Sequence, residues 1–180
     1  ISLNLGTLSR RLTGGARRDL EGAGIQNMTD LLSHFFMRGV ALKQYGQDAP
    51  INTDDNARLE FSSPRGLYQT PQPSPLEELI RFREPATALF LSREGMDLRE
   101  GLEKAFSAKK LFLQAKADFL RGERDRALLK LENSLSLNPG DLEVRLLLGR
   151  TYLALSQAAL ARKGLSEAAI RLEKFLAIYP

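Results

Sequence analysis

Ala127, Leu131, Ser134 and Pro139 are followed, 41 positions later in each case, by Ala168, Leu172, Phe175 and Pro180. A chain that returns to the same residue types at a fixed offset is held to a narrow set of folds, because each copy is one supersecondary unit that buries its apolar face only by stacking on the next. Upstream of these positions the offset is shorter: Ala115 pairs with Gly149, and Asp118 with Tyr152, 34 positions apart. The seven extra residues fall at about 156–162. Seven residues make roughly two helical turns, so a helix can absorb them and keep its buried face. The spacing predicts one helix from about Leu142 to Arg162, turning at Lys163 and Gly164. Small side chains at Ala115, Ala127, Gly149 and Ala168 allow close helix approach, and Leu131, Leu148, Tyr152, Leu172 and Phe175 fill the space between. Pro139 ends one unit and starts the next.

A helix-turn-helix unit of this length, with small residues at these places and a proline near its end, resembles the tetratricopeptide repeat across positions 108–180. The resemblance implies a peptide-binding groove along the first helix of each unit. Its positions fall on Phe112, Lys116, Phe119, Leu146, Arg150 and Leu153. Lys116 and Arg150 hold the same place in successive units, so together they could hold a carboxylate. Arrays of this family that clamp a terminal carboxylate favour Asn at those places, so the sequence departs from that pattern. The competing reading keeps Lys116 and Arg150 as solvated cations and Phe112 and Phe119 as core. Two units are few where three are usual, which makes residues 76–107 the expected cap and leaves the far end open to a further unit or to self-association.

Upstream, TPQPSP at residues 70–75 reads as an extended joint, since proline fixes its own φ and keeps the preceding residue out of the helical region. Ser74, Pro75 and Glu77 then read as N-cap, first helical position and capping-box partner of a helix reaching about Arg83, where Glu84 and Pro85 interrupt it. Residues 1–5 alternate like a short strand, and residues 16–23 read as a helix closed by Gly24. Thr29 is the expected N-cap of a helix whose apolar face carries Leu31, Leu32, Phe35 and Phe36. Gly39 breaks or bends it, and residues 40–45 form another short helix. His34 is the only histidine, without Cys or a second His to share a metal, and reads as an ordinary helix residue. Asn52, Thr53, Asp54 and Asp55 carry turn chemistry, with cation binding as the alternative if further oxygen ligands exist. Residues 58–61 read as a strand with Leu59 and Phe61 on one face.

The run Asn52-Thr53-Asp54-Asp55, then Leu59-Glu60-Phe61 and Pro64-Arg65, with Asp19-Leu20, Gly24-Ile25, Leu31-Leu32 and Phe35-Phe36 before it, resembles the closing segment of the spermidine-synthase-like domain of fused bacterial proteins. That implies a tail of a larger protein, preceded by an aminopropyltransferase-like part. The family's Gly-rich loop, ribose-binding acid and catalytic Asp find no counterpart here; Gly14, Gly15, Gly22 and Gly24 lack the G-x-G-x-x-G order. The expected fold class is therefore mainly α: tetratricopeptide-like helix-turn-helix repeats preceded by a small helical segment with one or two short strands. The expected division is 1–69 for the end of the spermidine-synthase-like domain, 70–75 for the linker, 76–107 for capping helices and 108–180 for two repeats.

Charge and composition bound the function. The 26 Lys and Arg exceed the 22 Asp and Glu entirely through residues 108–180, which hold 13 basic and 8 acidic residues. Acids interleave with those bases, so a solvated helix surface is the plain reading and nucleic-acid binding the sharper one. No cysteine is present, which removes disulfides and thiolate chemistry, and no apolar run approaches the roughly 20 residues of a membrane span. The expected function is a non-catalytic interaction module with no cofactor, metal or catalytic residue, whose partners are a protein or peptide, the rest of the parent chain, or a second copy. No nucleic-acid or membrane partner is expected. The alternatives are completion of an aminopropyltransferase-like enzyme, and nucleic-acid binding through the basic tail. The expected location is cytoplasmic, with an inner-membrane tether supplied upstream.

Overall fold

The computed structural model describes residues 4–47, 73–89 and 96–178. They are mainly α-helical, and no strand occurs among the described residues. Four short helices come first: α1 (Leu5–Arg11), α2 (Gly14–Gly22), α3 (Met28–Ser33) and α4 (Gly39–Tyr45). After α5 (Pro73–Arg81) and a single 3-10 turn at Ala86–Leu89 come four longer ones: α6 (Met96–Leu120), α7 (Arg124–Leu137), α8 (Leu142–Ala161) and α9 (Leu165–Ile178). None is long and apolar enough to cross a membrane.

The core is built where small residues let helices close on each other. Along α6 and α7, Ala108, Ala115, Ala127, Leu131 and Ser134 are all fully shielded from solvent. The Ser134 hydroxyl donates to the Ala108 carbonyl at 2.7 Å, so this buried polar side chain is satisfied. Gly149, Tyr152, Ser156 and Ala159 of α8 and Ala168 of α9 are buried in the same way. The four small positions expected from the sequence are thus all interior. Leu131, Leu148 and Tyr152 are buried too, whereas Leu172 and Phe175 on the last helix are only half-buried.

The turns closing the two helix pairs share one geometry. Gly122 has φ +79° and Glu123 N–H donates to Asp118 O at 2.9 Å. Lys163 has φ +60° and Gly164 N–H donates to Ala159 O at 2.8 Å. Both follow the pattern in which a left-handed residue ends a helix and the next N–H returns to an orphan carbonyl. The helix expected over Leu142 to Arg162 is present as α8. Asp141 caps it, its Oδ1 accepting from Val144 N–H at 3.2 Å.

Several expectations for the first half give way. Asn4 and Leu5, read as part of a strand, instead cap and open α1, the Asn4 side chain accepting from Thr7 N–H at 2.8 Å. A side-chain cap outweighs an alternation too short to fix a sheet. The strand at 58–61, the turn at 52–55 and residues 70–72 of the joint lie outside the described residues, while 73–75 of the joint, expected to be extended, are helical. The N-cap of α3 is Asn27, not Thr29: its Oδ1 accepts from Asp30 N–H at 2.9 Å. That earlier start ends α3 at Ser33, and Phe35 and Phe36 pack from the segment beyond the helix. α5 begins at Pro73 and not at a Ser74 cap, since prolines are tolerated through the first turn, where no intrahelical N–H is needed.

The early helices lie on the later ones. Phe36 packs on the core cluster of Phe112, Leu131 and Leu148, while Leu32, Ala86 and Leu102 form a second cluster. Gly24, at φ +82°, closes α2 against the Leu142 side chain: a Cβ there would lie 3.1 Å from Leu142 Cδ2.

Candidate functional site

The six groove positions fall on α6 and α8, and the structure divides them. Phe112 is 3% exposed and belongs to the core cluster, so it is not offered to a ligand. Lys116 is exposed, with its ammonium 5.3 Å from the centre of the Phe112 ring, a cation held over an aromatic face. Phe119 is half-buried and Arg150 exposed, and the two share one cavity of about 360 Å³. Leu147, Thr151, Ala154, Leu155 and Ala158 supply the rest of its wall from α8, and Arg124 closes it at the start of α7. The α8 residues recur at three- and four-residue steps, which puts them on one stripe.

Leu146 and Leu153 are 41% and 38% exposed and do not line that cavity. Leu146 lines a separate hollow of about 210 Å³ together with Gly24, His34, Leu142 and Glu143. The chain's own α2 and α3 border that hollow, so the face is shortened at its Leu146 end. The structure therefore brings Phe119 and Arg150 together but leaves Leu146 and Leu153 outside their cavity.

Charged contacts that the repeat spacing did not single out fix the two helix pairs together. The Lys109 ammonium, almost fully buried, meets Glu143 and lies 3.5 Å from Asp141, tying α6 to the first turn of α8. It also stands 4.9 Å from the Phe112 ring centre. Burial raises the Glu143 carboxyl pKa, and the hydrogen bond and charge of Lys109 lower it by more, leaving it below the ordinary carboxylate value. Part-burial and then the nearby Lys109 charge hold the His34 imidazole below its ordinary value.

A second tie crosses three helices. The Tyr152 hydroxyl of α8 donates to Glu132 of α7, and Lys174 of α9 reaches the same carboxylate at 2.9 Å. Burial, then the Glu132 hydrogen bond, raises the Tyr152 phenol well above its usual value, so it stays a donor at neutral pH. A sequence signal for the first tie existed in the charge order, since Lys109 and Glu143 are offset by the same 34 positions as Lys116 and Arg150.

Among the described residues no group of three His, Cys, Asp or Glu could hold a metal ion. Comparison with family models, with curated proteins and with solved structures finds no match for the chain.

Proposed function

We propose that α6–α9 form a tetratricopeptide-like module that binds an extended peptide, within a non-catalytic tail of a spermidine-synthase-like protein. The observation that carries this reading is the cavity shared by Phe119 and Arg150, whose apolar stripe on α8 is flanked by two guanidinium groups, those of Arg124 and Arg150. Its volume is at the small end of the range for ligand pockets. Such a site favours an aliphatic side chain next to a carboxylate, because the apolar stripe takes the first and the guanidinium forks pair with the second. The matching turns at Gly122 and Lys163 and the four buried small residues support the repeat assignment.

The assignment of residues 1–69 to the end of a spermidine-synthase-like domain rests on the sequence resemblance and is part of the same proposal. Membership in a larger parent, a cytoplasmic location and a tether through upstream sequence go with it. Binding of nucleic acid by the basic half is the weaker reading, since many of its cations are already paired: Lys130 with Asp118, Lys174 with Glu132, Arg171 with Glu167 and Arg126 with Glu123.

The test is a fluorescence-polarisation screen of short acidic-aliphatic peptides, repeated with Arg150→Glu and Lys116→Glu. Arg150→Glu should weaken the best peptide at least ten-fold, and Lys116→Glu by less. Equal affinity for wild type and Arg150→Glu would remove the groove from the assignment.

A further inference from the structure

A separate cleft, away from the peptide groove, is lined with positive charge that its own acids do not neutralise. It lies along α6, which supplies Phe106, Lys110, Gln114, Ala117 and Asp118, with Arg121 just past its end, and it has a volume of about 480 Å³. α5 forms one wall with Glu77, Ile80 and Arg81, and α7 the other with Arg126 and Lys130. Arg83, just past α5, completes the lining.

The two carboxylates in the lining are already engaged. Glu77 pairs with Arg121, and Asp118 with Lys130 at 2.6 Å. Arg126 pairs with Glu123 outside the lining. That leaves Arg81, Lys110 and Arg83 without an ion pair among the described residues.

Arg83 is the unusual member. It is 7% exposed, and its two terminal nitrogens donate to backbone carbonyls only, Ser33 O at 2.6 Å and Phe106 O at 2.8 Å. Its Nε is buried with no acceptor. The guanidinium lies over the Phe106 ring, 4.4 Å from its centre, with the Phe36 ring 5.5 Å away. Burial pulls its pKa down to about 10, so it remains a cation at neutral pH. A buried charge held rigidly by carbonyls and rings, with no carboxylate paired to it, is costly to keep unless something compensates it. The negative end of the α5 dipole offers only about half a charge against three cations.

We propose that this cleft binds the phosphoryl group of a small soluble molecule, with Arg81 and Lys110 as the solvent-facing contacts and Arg83 as a fixed positive charge in the wall. A phosphoryl dianion fits because its oxygens accept from several donors at once, and Gln114 adds a neutral donor between the cations. Cleft walls on both sides of α6 concentrate the field on a small ligand, where a flat surface would spread it.

The test is isothermal titration calorimetry of the whole chain with inorganic pyrophosphate at low salt. Wild type should saturate at one site. Arg81→Glu and Lys110→Glu should each weaken binding at least ten-fold. Arg18→Glu, an exposed change on α2 with the same change in net charge, should leave it within two-fold. Thermal melts establish that each variant is folded, so no result depends on the buried Arg83. Absence of binding by wild type, or equal weakening by Arg18→Glu and Lys110→Glu, would overturn the site. So would a single-stranded oligonucleotide that binds tighter than pyrophosphate with a salt slope of many phosphates, since that would mark a surface for polyanions.

Discussion

Leu131 and Leu172 are leucines 41 positions apart in the sequence, yet the structure gives them different surroundings, and truncating each to alanine turns that difference into a measurement. Leu131 is fully buried in the main core cluster, so Leu131→Ala removes three carbons from a closed site. At roughly 0.8 kcal/mol per buried carbon the transfer loss is about 2.4 kcal/mol. A cavity in a seam of small residues cannot close fully, and its cost carries the total to about 3 or 4 kcal/mol. Leu172 is half-buried on α9, whose outer side leaves Leu165, Ile170 and Leu176 more than half exposed. About half the transfer loss applies there, roughly 1 kcal/mol, with no enclosed cavity to add. Urea unfolding followed by circular dichroism should give the two losses at constant slope, about 2 kcal/mol apart. Equal losses would refute the reasoning, because they would require Leu172 to be as deeply enclosed in solution as Leu131. A concentration-dependent midpoint for the Leu172→Ala protein would then identify a second copy on α9 as the cover.

Lys163→Gly should stabilise the chain by about 0.5–1 kcal/mol, read as a raised melting temperature, because Lys163 holds φ +60° where glycine carries no side-chain strain. Tyr152→Phe should cost about 1 kcal/mol in urea unfolding, since Glu132 loses its buried donor while Lys174 still holds it. The pH dependence follows from two depressed values. His34 titrates below 6.5 in the folded chain, so the unfolded state binds more protons in that interval, and stability present above pH 6.5 is lost as pH falls through the folded value. Glu143 is depressed below 4.5, so its contribution is lost at lower pH still, and His34→Gln should flatten only the upper part of the profile. Because His34 is only part-buried, the upper part is shallow.

The helical half was legible because its signal is local and periodic. Ala115, Ala127, Gly149 and Ala168 must be small for helices to touch, and small residues recurring at offsets of 34 and 41 expose that demand in the sequence. The long α8 was legible for the same reason: seven added residues keep the same face inward. The first half carries no such period. There a single cap decides an element, and Asn27 competes with Thr29 for one N-terminus on the strength of one hydrogen bond to Asp30 N–H. Phe35 and Phe36 read as helix face because their spacing fits one, but what they pack against comes from residues far along the chain.

The candidate sites were less legible than the fold for a reason Arg83 illustrates. Its sequence neighbours, Glu84 and Pro85, mark only a helix end, and nothing local announces a buried cation. Its position is set by carbonyls 50 and 23 residues away, Ser33 O and Phe106 O, so its role is a property of the packed chain. The same contacts predict what Arg83→Met would do. Both carbonyls lose a charged donor worth about 1.5 kcal/mol or more each, while an unpaired buried charge is removed. If holding α3 against α6 is the main duty of this residue, the loss should approach about 3 kcal/mol in urea unfolding. If the uncompensated charge dominates, the variant should be nearly neutral, and added pyrophosphate should raise the melting temperature of wild type much more than that of the variant. Two outcomes of one substitution thus separate a scaffold arginine from a binding one.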